Sequence, residues 1–126
     1  MDEVQERKIL IVDDEEPVVF FMKNYFRRRN FRPLVATAGR EAVEVFKGNR
    51  PEIVFLDINM EDMDGYEVLK EIRKIDPQAK VVMLTGVKDR EAKQKSTRLG
   101  ASGFINKPIV MEEFEAVLRT LIPWEG

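Results

Sequence analysis

Lys8-Ile9-Leu10-Ile11-Val12 runs without a polar break into Asp13-Asp14-Glu15-Glu16, and Pro17 follows. A short, continuous apolar run rich in β-branched side chains suits a strand buried on both faces, where no solvent side calls for alternation. The carboxylates end that strand. Pro17 suits the first turn of a helix, because the N–H it lacks would have no helical partner there. Strand, acidic turn and helix form one unit, and apolar runs alternate with amphipathic segments along the rest of the chain, without internal repeats.

Outward from this unit, the first helix is expected to reach about Asn30, with Val18, Met22, Tyr25 and Phe26 inward. Arg32–Ala36 reads as a second, shorter strand. Glu41–Lys47 reads as a helix with Ala42, Val43 and Phe46 on one face, closed by Gly48 and Pro51. Ile53–Leu56 is a third strand that ends at Asp57. Asp64 and Glu67 have capping-box spacing ahead of a helix that buries Val68, Leu69, Ile72 and Ile75 and stops at Pro77. Val81–Leu84 is a fourth strand, ending at Thr85. Asp89–Leu99 is a helix with Ala92 and Leu99 as its clear apolar positions, hence loosely held, and Gly100 is its stop. Gly103–Asn106 is a short fifth strand before Lys107-Pro108. Met111–Ile122 is the last helix, with Phe114, Val117, Leu118 and Leu121 inward.

Five strand–helix pairs in strict alternation imply an α/β fold with a parallel sheet covered on both faces. Such folds bind ligands beyond the carboxyl ends of their strands. Those ends carry Asp13-Asp14, Asp57, Thr85 and Lys107, from four separate strands brought to one edge.

Composition narrows the chemistry. The 126 residues are enough for one domain, 1–126 with a core from about 8 to 122, and are 44% hydrophobic and 35% charged. With no cysteine there are no disulfides or thiolate metal sites, and with no histidine there is no Ser-His or Cys-His pair. A net charge of −2 gives no reason to expect direct nucleic-acid binding. No apolar run reaches membrane-spanning length and Met1–Arg7 lacks a signal-peptide core, so the expectation is a cytoplasmic protein. Neither G-x-x-x-x-G-K-[ST] nor G-x-G-x-x-G occurs. Arg27-Arg28-Arg29 reads as positive charge favoured at a helix C-terminus.

Three adjacent carboxylates repel one another, and a hard divalent cation relieves this; Mg²⁺ suits one or two carboxylates plus phosphate oxygens. Lys107 adds fixed positive charge and Thr85 a hydroxyl. Together these groups match the needs of phosphoryl transfer: a nucleophile, and stabilisation of charge on the equatorial oxygens. Asp57, after the central strand, is the natural nucleophile. Taken singly, Asp13-Asp14 could merely terminate a strand, Thr85 serve a turn and Lys107-Pro108 a solvated loop. It is the coincidence at four strand ends that carries the reading.

Ile9-Leu10-Ile11-Val12-Asp13-Asp14-Glu15, Asp57-Ile58-Asn59-Met60 with Met63-Asp64-Gly65, Leu84-Thr85-Gly86, and Gly100-Ala101 through Phe104 to Lys107-Pro108 resemble response-regulator receiver domains of two-component signalling. The resemblance covers roughly Lys8 to Ile122. It implies a flavodoxin-like, doubly wound five-stranded parallel sheet in the order 2-1-3-4-5 with five helices, in three α/β/α layers. It implies that Asp57 is the phosphoacceptor, that Asp13, Asp14, Asp57 and the Asn59 backbone carbonyl hold Mg²⁺, and that Lys107 contacts the phosphoryl group. Thr85 matches the switch hydroxyl and Phe104 the switch aromatic. The implied donor is a sensor histidine kinase or histidine phosphotransfer protein. The domain then controls a downstream partner or output domain of unknown identity, and the catalysis is confined to its own phosphorylation and autodephosphorylation. The resemblance also implies that Asn59 and Val87 occupy the positions that place the hydrolytic water. Glu61 stands where the family usually has proline, which is expected to loosen that loop; Gly86 replaces a commoner alanine, and Gly103 an acidic residue. A haloacid-dehalogenase-type phosphatase would need a second Asp where Asn59 stands. A flavodoxin-like cofactor binder would need a Ser/Thr-rich loop where Asp13–Glu16 stand. A degenerate receiver would have lost key residues that are present here.

Overall fold

A computed structural model describes residues 6–86 and 90–122. Five strands, β1 (Arg7–Val12), β2 (Phe31–Ala36), β3 (Ile53–Asp57), β4 (Lys80–Thr85) and β5 (Gly103–Asn106), alternate with five helices, α1 (Glu16–Arg27), α2 (Gly39–Asn49), α3 (Gly65–Ile75), α4 (Arg90–Arg98) and α5 (Met111–Leu121). All pairings are parallel and the sheet order is β2-β1-β3-β4-β5. The order reverses between β1 and β3, so the crevice for a ligand opens beyond their carboxyl ends.

The apolar runs behave as strands buried on both faces. Leu10, Val12, Val54, Leu56, Val81 and Met83 pack with Ala42, Val43 and Phe46 of α2 and Val68, Leu69 and Ile72 of α3. Ile9, Ile11, Ile53, Phe55, Val82, Leu84 and Ile105 face the other way, onto Met22, Tyr25 and Phe26 of α1 and Phe114 and Leu118 of α5. Burial of these strand side chains, roughly 1.5–3 kcal/mol each, supplies the main driving force for the three layers. Ile75, Val18, Val117 and Leu121, expected inward, are half-buried at the margins.

Two helix ends differ from expectation. The first helix stops at Arg27 rather than near Asn30; residues 28–30 form a turn in which Asn30 takes φ +66°, a left-handed conformation asparagine tolerates. The second helix runs through Gly48 to Asn49. Arg50, not a glycine, adopts the left-handed cap (φ +47°), its N–H donating to the Phe46 carbonyl. Gly100, at φ +93°, does stop the α4 segment as expected. That helix buries little: Ser96 is its fully buried side chain, with Ala92 and Leu99 half-buried. Asp89, its expected start, lies outside the described residues.

Gly65 opens α3 directly against the end of β3. A Cβ there would lie 2.5 Å from the Asp57 carbonyl oxygen and 2.6 Å from Ile58 Cα. These are backbone atoms and cannot rotate away. Gly86 has nothing within 4 Å of such a Cβ. Gly65→Ala is therefore expected to lower stability by roughly 1–3 kcal/mol, while Gly86→Ala stays within about 0.5 kcal/mol of the parent; urea unfolding of both variants distinguishes them.

Candidate functional site at the carboxyl edge of the sheet

Each strand leaves a polar group where its apolar run ends. Asp13 follows β1, its N–H donating to the Ala36 carbonyl (3.1 Å) while its Oδ1 accepts from the Glu15 N–H (2.9 Å). Asp57 closes β3, with Oδ1 accepting from the Asn59 N–H (3.2 Å). Thr85 closes β4, and its carbonyl accepts from the Lys107 N–H (2.7 Å), so the β5–α5 loop is locked to it. The Ile58 N–H donates to Leu84 O and the Gly65 N–H to Ile58 O, which folds the β3–α3 loop over the edge. The local rule is one of backbone saturation: the N–H and C=O groups just past each strand bond to the neighbouring strand's end.

Asp13, Asp14 and Asp57 each bring a carboxylate oxygen within 4.8 Å of the others, the sole such cluster among the described residues. Asp13 and Asp57 are buried, Asp57 to 4% exposure, and Asp14 faces solvent. Lys107 Nζ lies 2.7 Å from Asp13 Oδ2, 2.5 Å from Glu15 Oε1 and 3.7 Å from Asp57 Oδ2. Burial would pull the Lys107 ammonium down, but its pairing with Asp13 and Glu15 outweighs that and holds it above the usual lysine value. Asp57 is pushed up to about 6, first by burial and then by the Asp13 charge, against the opposing pull of Lys107 and the Asn59 N–H.

The residues fit a hard dication. All donors are oxygens, and the buried Asp13 Oδ2 is met by the Lys107 ammonium at 2.7 Å. Asn59 lies two residues past Asp57, with its N–H on the Asp57 carboxylate. Thr85 opposes Asn106 and Met83 opposes Phe104 in the β4–β5 register, so Thr85 and Phe104 share a face as diagonal neighbours. Phe104 is half-buried against the α2–α3 core. Val87 lies outside the described residues.

Two contributors escape a reading of the sequence. Glu15 reaches Lys107 across 92 positions. Asp62 accepts from the Gly39 and Arg40 N–H groups (2.8 and 3.1 Å) at the start of α2, bonds that hold its carboxyl below the usual range. This tether restrains the loop that Glu61, in place of proline, was expected to loosen. No local pattern announces it; the acidic quartet after β1 is a faint signal for Glu15.

A doubly wound parallel sheet whose buried carboxylate, flanked by two more and a lysine, sits at the switch point defines an α/β domain suited to oxyanion transfer. The sequence profile of the response regulator receiver domain family matches residues 9–119. Sporulation initiation phosphotransferase F of Bacillus subtilis is 30% identical over 116 residues, 92% of this chain and 94% of that protein. Chemotaxis protein CheY4 of Vibrio cholerae superposes with a TM-score of 0.85 at 27% identity, covering 94% of this chain and 100% of that one. The regulatory protein AtoC of Escherichia coli is 32% identical over 112 residues, which span 24% of its length. The chain belongs to the response regulator receiver domain family, and its role is that of a phosphoacceptor signalling domain.

The raised Asp57 value has a stability consequence in the absence of a cation. Its folded value of about 6 exceeds the ordinary aspartate value of 3.8, so the folded state binds more protons between them. Stability therefore falls as pH rises from about 4 to about 6, and the penalty is complete above that. In EDTA, Asp57→Asn is expected to stabilise the fold by about 1–3 kcal/mol at pH 7.5 and to lose that advantage near pH 4, as read by denaturant unfolding at both pH values.

Proposed function

We propose that Asp57 accepts a phosphoryl group from a phosphohistidine on a sensor kinase or phosphotransfer protein, in a Mg²⁺-dependent reaction, and that the new charge switches the β4–α4–β5 segment. The observation that carries this is a single buried acceptor carboxylate at the end of the central strand, with Asp13, Asp14 and Lys107 gathered around it. Asp57 Oδ2 attacks phosphorus in line with the departing imidazole nitrogen; the P–O bond forms as the P–N bond breaks, and the nitrogen keeps the electron pair. Asp13, Asp14, Asp57 and the Asn59 main-chain carbonyl would hold Mg²⁺, which when bound neutralises charge on the phosphoryl oxygens. Lys107 supplies an ammonium and Thr85 a hydroxyl donor to the same oxygens. The acyl phosphate is then lost by autodephosphorylation, with the Asn59 amide orienting the attacking water.

The donor must present its phosphorus beside Asp57. Pro17, Val18, Phe21, Pro108, Ile109 and Met111 line a groove between α1 and the loop that follows Lys107, and Phe20, at 71% exposure, lines a second one with Asp13 and Asp14. That placement suits the apolar face of a phosphohistidine-bearing helix, in a cytoplasmic setting. We read 1–126 as one receiver unit. Neither nucleic acid nor membrane is a direct partner in this reading; no described helix is long and apolar enough to cross a membrane.

Incubation with a small phosphodonor is expected to modify Asp57 when Mg²⁺ is present and to fail in EDTA or in Asp57→Ala; undiminished labelling in either control sinks the reading. The switch has its own test. Amide hydrogen exchange of 90–98 is expected to be fast at rest, because α4 buries so little, and to slow on adding beryllofluoride. Equal protection in both states would exclude the segment as the moving part.

A further inference from the structure

Lys107 does not point its charge at Asp57 in the resting molecule. Its Nζ contacts Glu15 at 2.5 Å and Asp13 at 2.7 Å, whereas the acceptor carboxylate is 3.7 Å away, beyond hydrogen-bond range. The Lys107 side chain is 9% exposed and that of Asp13 fully buried, but the Glu15 side chain is 57% exposed. Lysine has three donors and no preferred plane, so a third oxygen can compete for it. The partner that yields most cheaply is the one whose carboxylate can return to water, and that is Glu15.

We propose that Glu15 is a positioning residue that draws Lys107 away from Asp57 in the resting state and is displaced from it by the phosphoryl group. The inference rests on the phosphoacceptor reading above and adds a regulator to it. The ion pair has two opposite effects. It clears positive charge from Asp57, which favours loading of the dication among the carboxylates. It also opposes capture of the phosphoryl oxygens, since Lys107 must leave Glu15 to reach them. Glu15 therefore weakens the phosphorylated state relative to the resting one. Its backbone is fixed for this role: the Glu15 N–H is held by Asp13 Oδ1 and Glu15 occupies the N-cap position of α1, so its side chain starts within reach of the lysine.

Beryllofluoride titration by fluorine NMR at saturating Mg²⁺, together with Mg²⁺ titration of the unphosphorylated protein, tests this. Glu15→Gln is expected to tighten beryllofluoride roughly two- to fivefold, the range an exposed ion pair spans, and to weaken Mg²⁺ by a similar factor. Glu16→Gln removes the same charge one residue later from a side chain that does not hold Lys107. It measures the effect of charge alone and is expected to move both affinities less. The lysine side-chain resonance of Lys107 should shift in Glu15→Gln and not in Glu16→Gln. Equal shifts in the two variants would reduce Glu15 to background charge and overturn the proposal, as would an unchanged beryllofluoride affinity in Glu15→Gln. Absence of beryllofluoride binding in the parent protein would instead remove the phosphoacceptor reading itself, and the proposal with it.

Discussion

Negative charge held out of water at the end of the central strand is the constraint on which the rest of this molecule depends. Asp57 is 4% exposed and Asp13 fully buried, and the Asp13 charge adds to the cost of ionising Asp57. An apolar sheet cannot screen such a pair, because it offers neither water nor mobile counter-ions. Lys107 is the resident compensation, and its position explains several unrelated-looking features. Its main chain is bonded to Thr85, which fixes the fifth strand's end beside the fourth, and its ammonium ties the first strand's loop to the fifth. The site is thus a junction of three strand ends held together by opposite charge.

The same crowding dictates the shape of the loops. The β3–α3 connection must leave Asp57 accessible while returning the chain to pack on the sheet. Gly65 permits this by letting the first turn of α3 rest on the backbone of Asp57 and Ile58. Asp62 holds the other side, using two N–H groups at the start of α2 that would otherwise lack helical partners. Gly39 accommodates the contact, since a Cβ there would come within 2.7 Å of Met63 Cβ. The loop over the site is braced from α2, so the absence of the usual proline at Glu61 does not leave it without restraint.

How much of this could be read from the sequence follows from how local each cause is. β5 lies where expected, because a short apolar run between Gly100 and Lys107-Pro108 has one sensible conformation. The cluster at the strand ends was legible for the same reason: the topology alone carries Asp13, Asp57, Thr85 and Lys107 to one edge. Helix ends were less legible. Gly48 looked like a stop, yet Arg50 took the left-handed cap, its N–H bonding to Phe46 O and its guanidinium lying 5.8 Å from the Phe46 ring. Local contacts of Arg50 with the last turn of α2 outweigh the glycine preference there. Asp62 and Glu15 were hidden because their partners lie 22 or more positions away, and surface carboxylates with no local partner look alike in a sequence.

The two faces of the sheet differ in what a change at the site can move. On the α1–α5 side, Phe26, Phe55, Phe114 and Tyr25 interlock with ring centroids 5.0–6.0 Å apart. Displacing any one of them breaks several aromatic contacts, each worth roughly 0.5–1.5 kcal/mol beyond its burial. On the other side α4 presents Ser96 to the interior, its hydroxyl buried and without a hydrogen bond among the described residues. That helix buries no large apolar side chain among its own residues, so its resting position is weakly held. Thr85 stands at the head of the strand leading into this helix, and Phe104 shares its face on the next. In the proposed switch, a pull on the Thr85 hydroxyl, worth about 1–3 kcal/mol, would be too little to shift the aromatic layer and enough to relocate a helix held this weakly. On that reading the direction in which the signal travels is set by where the core is soft.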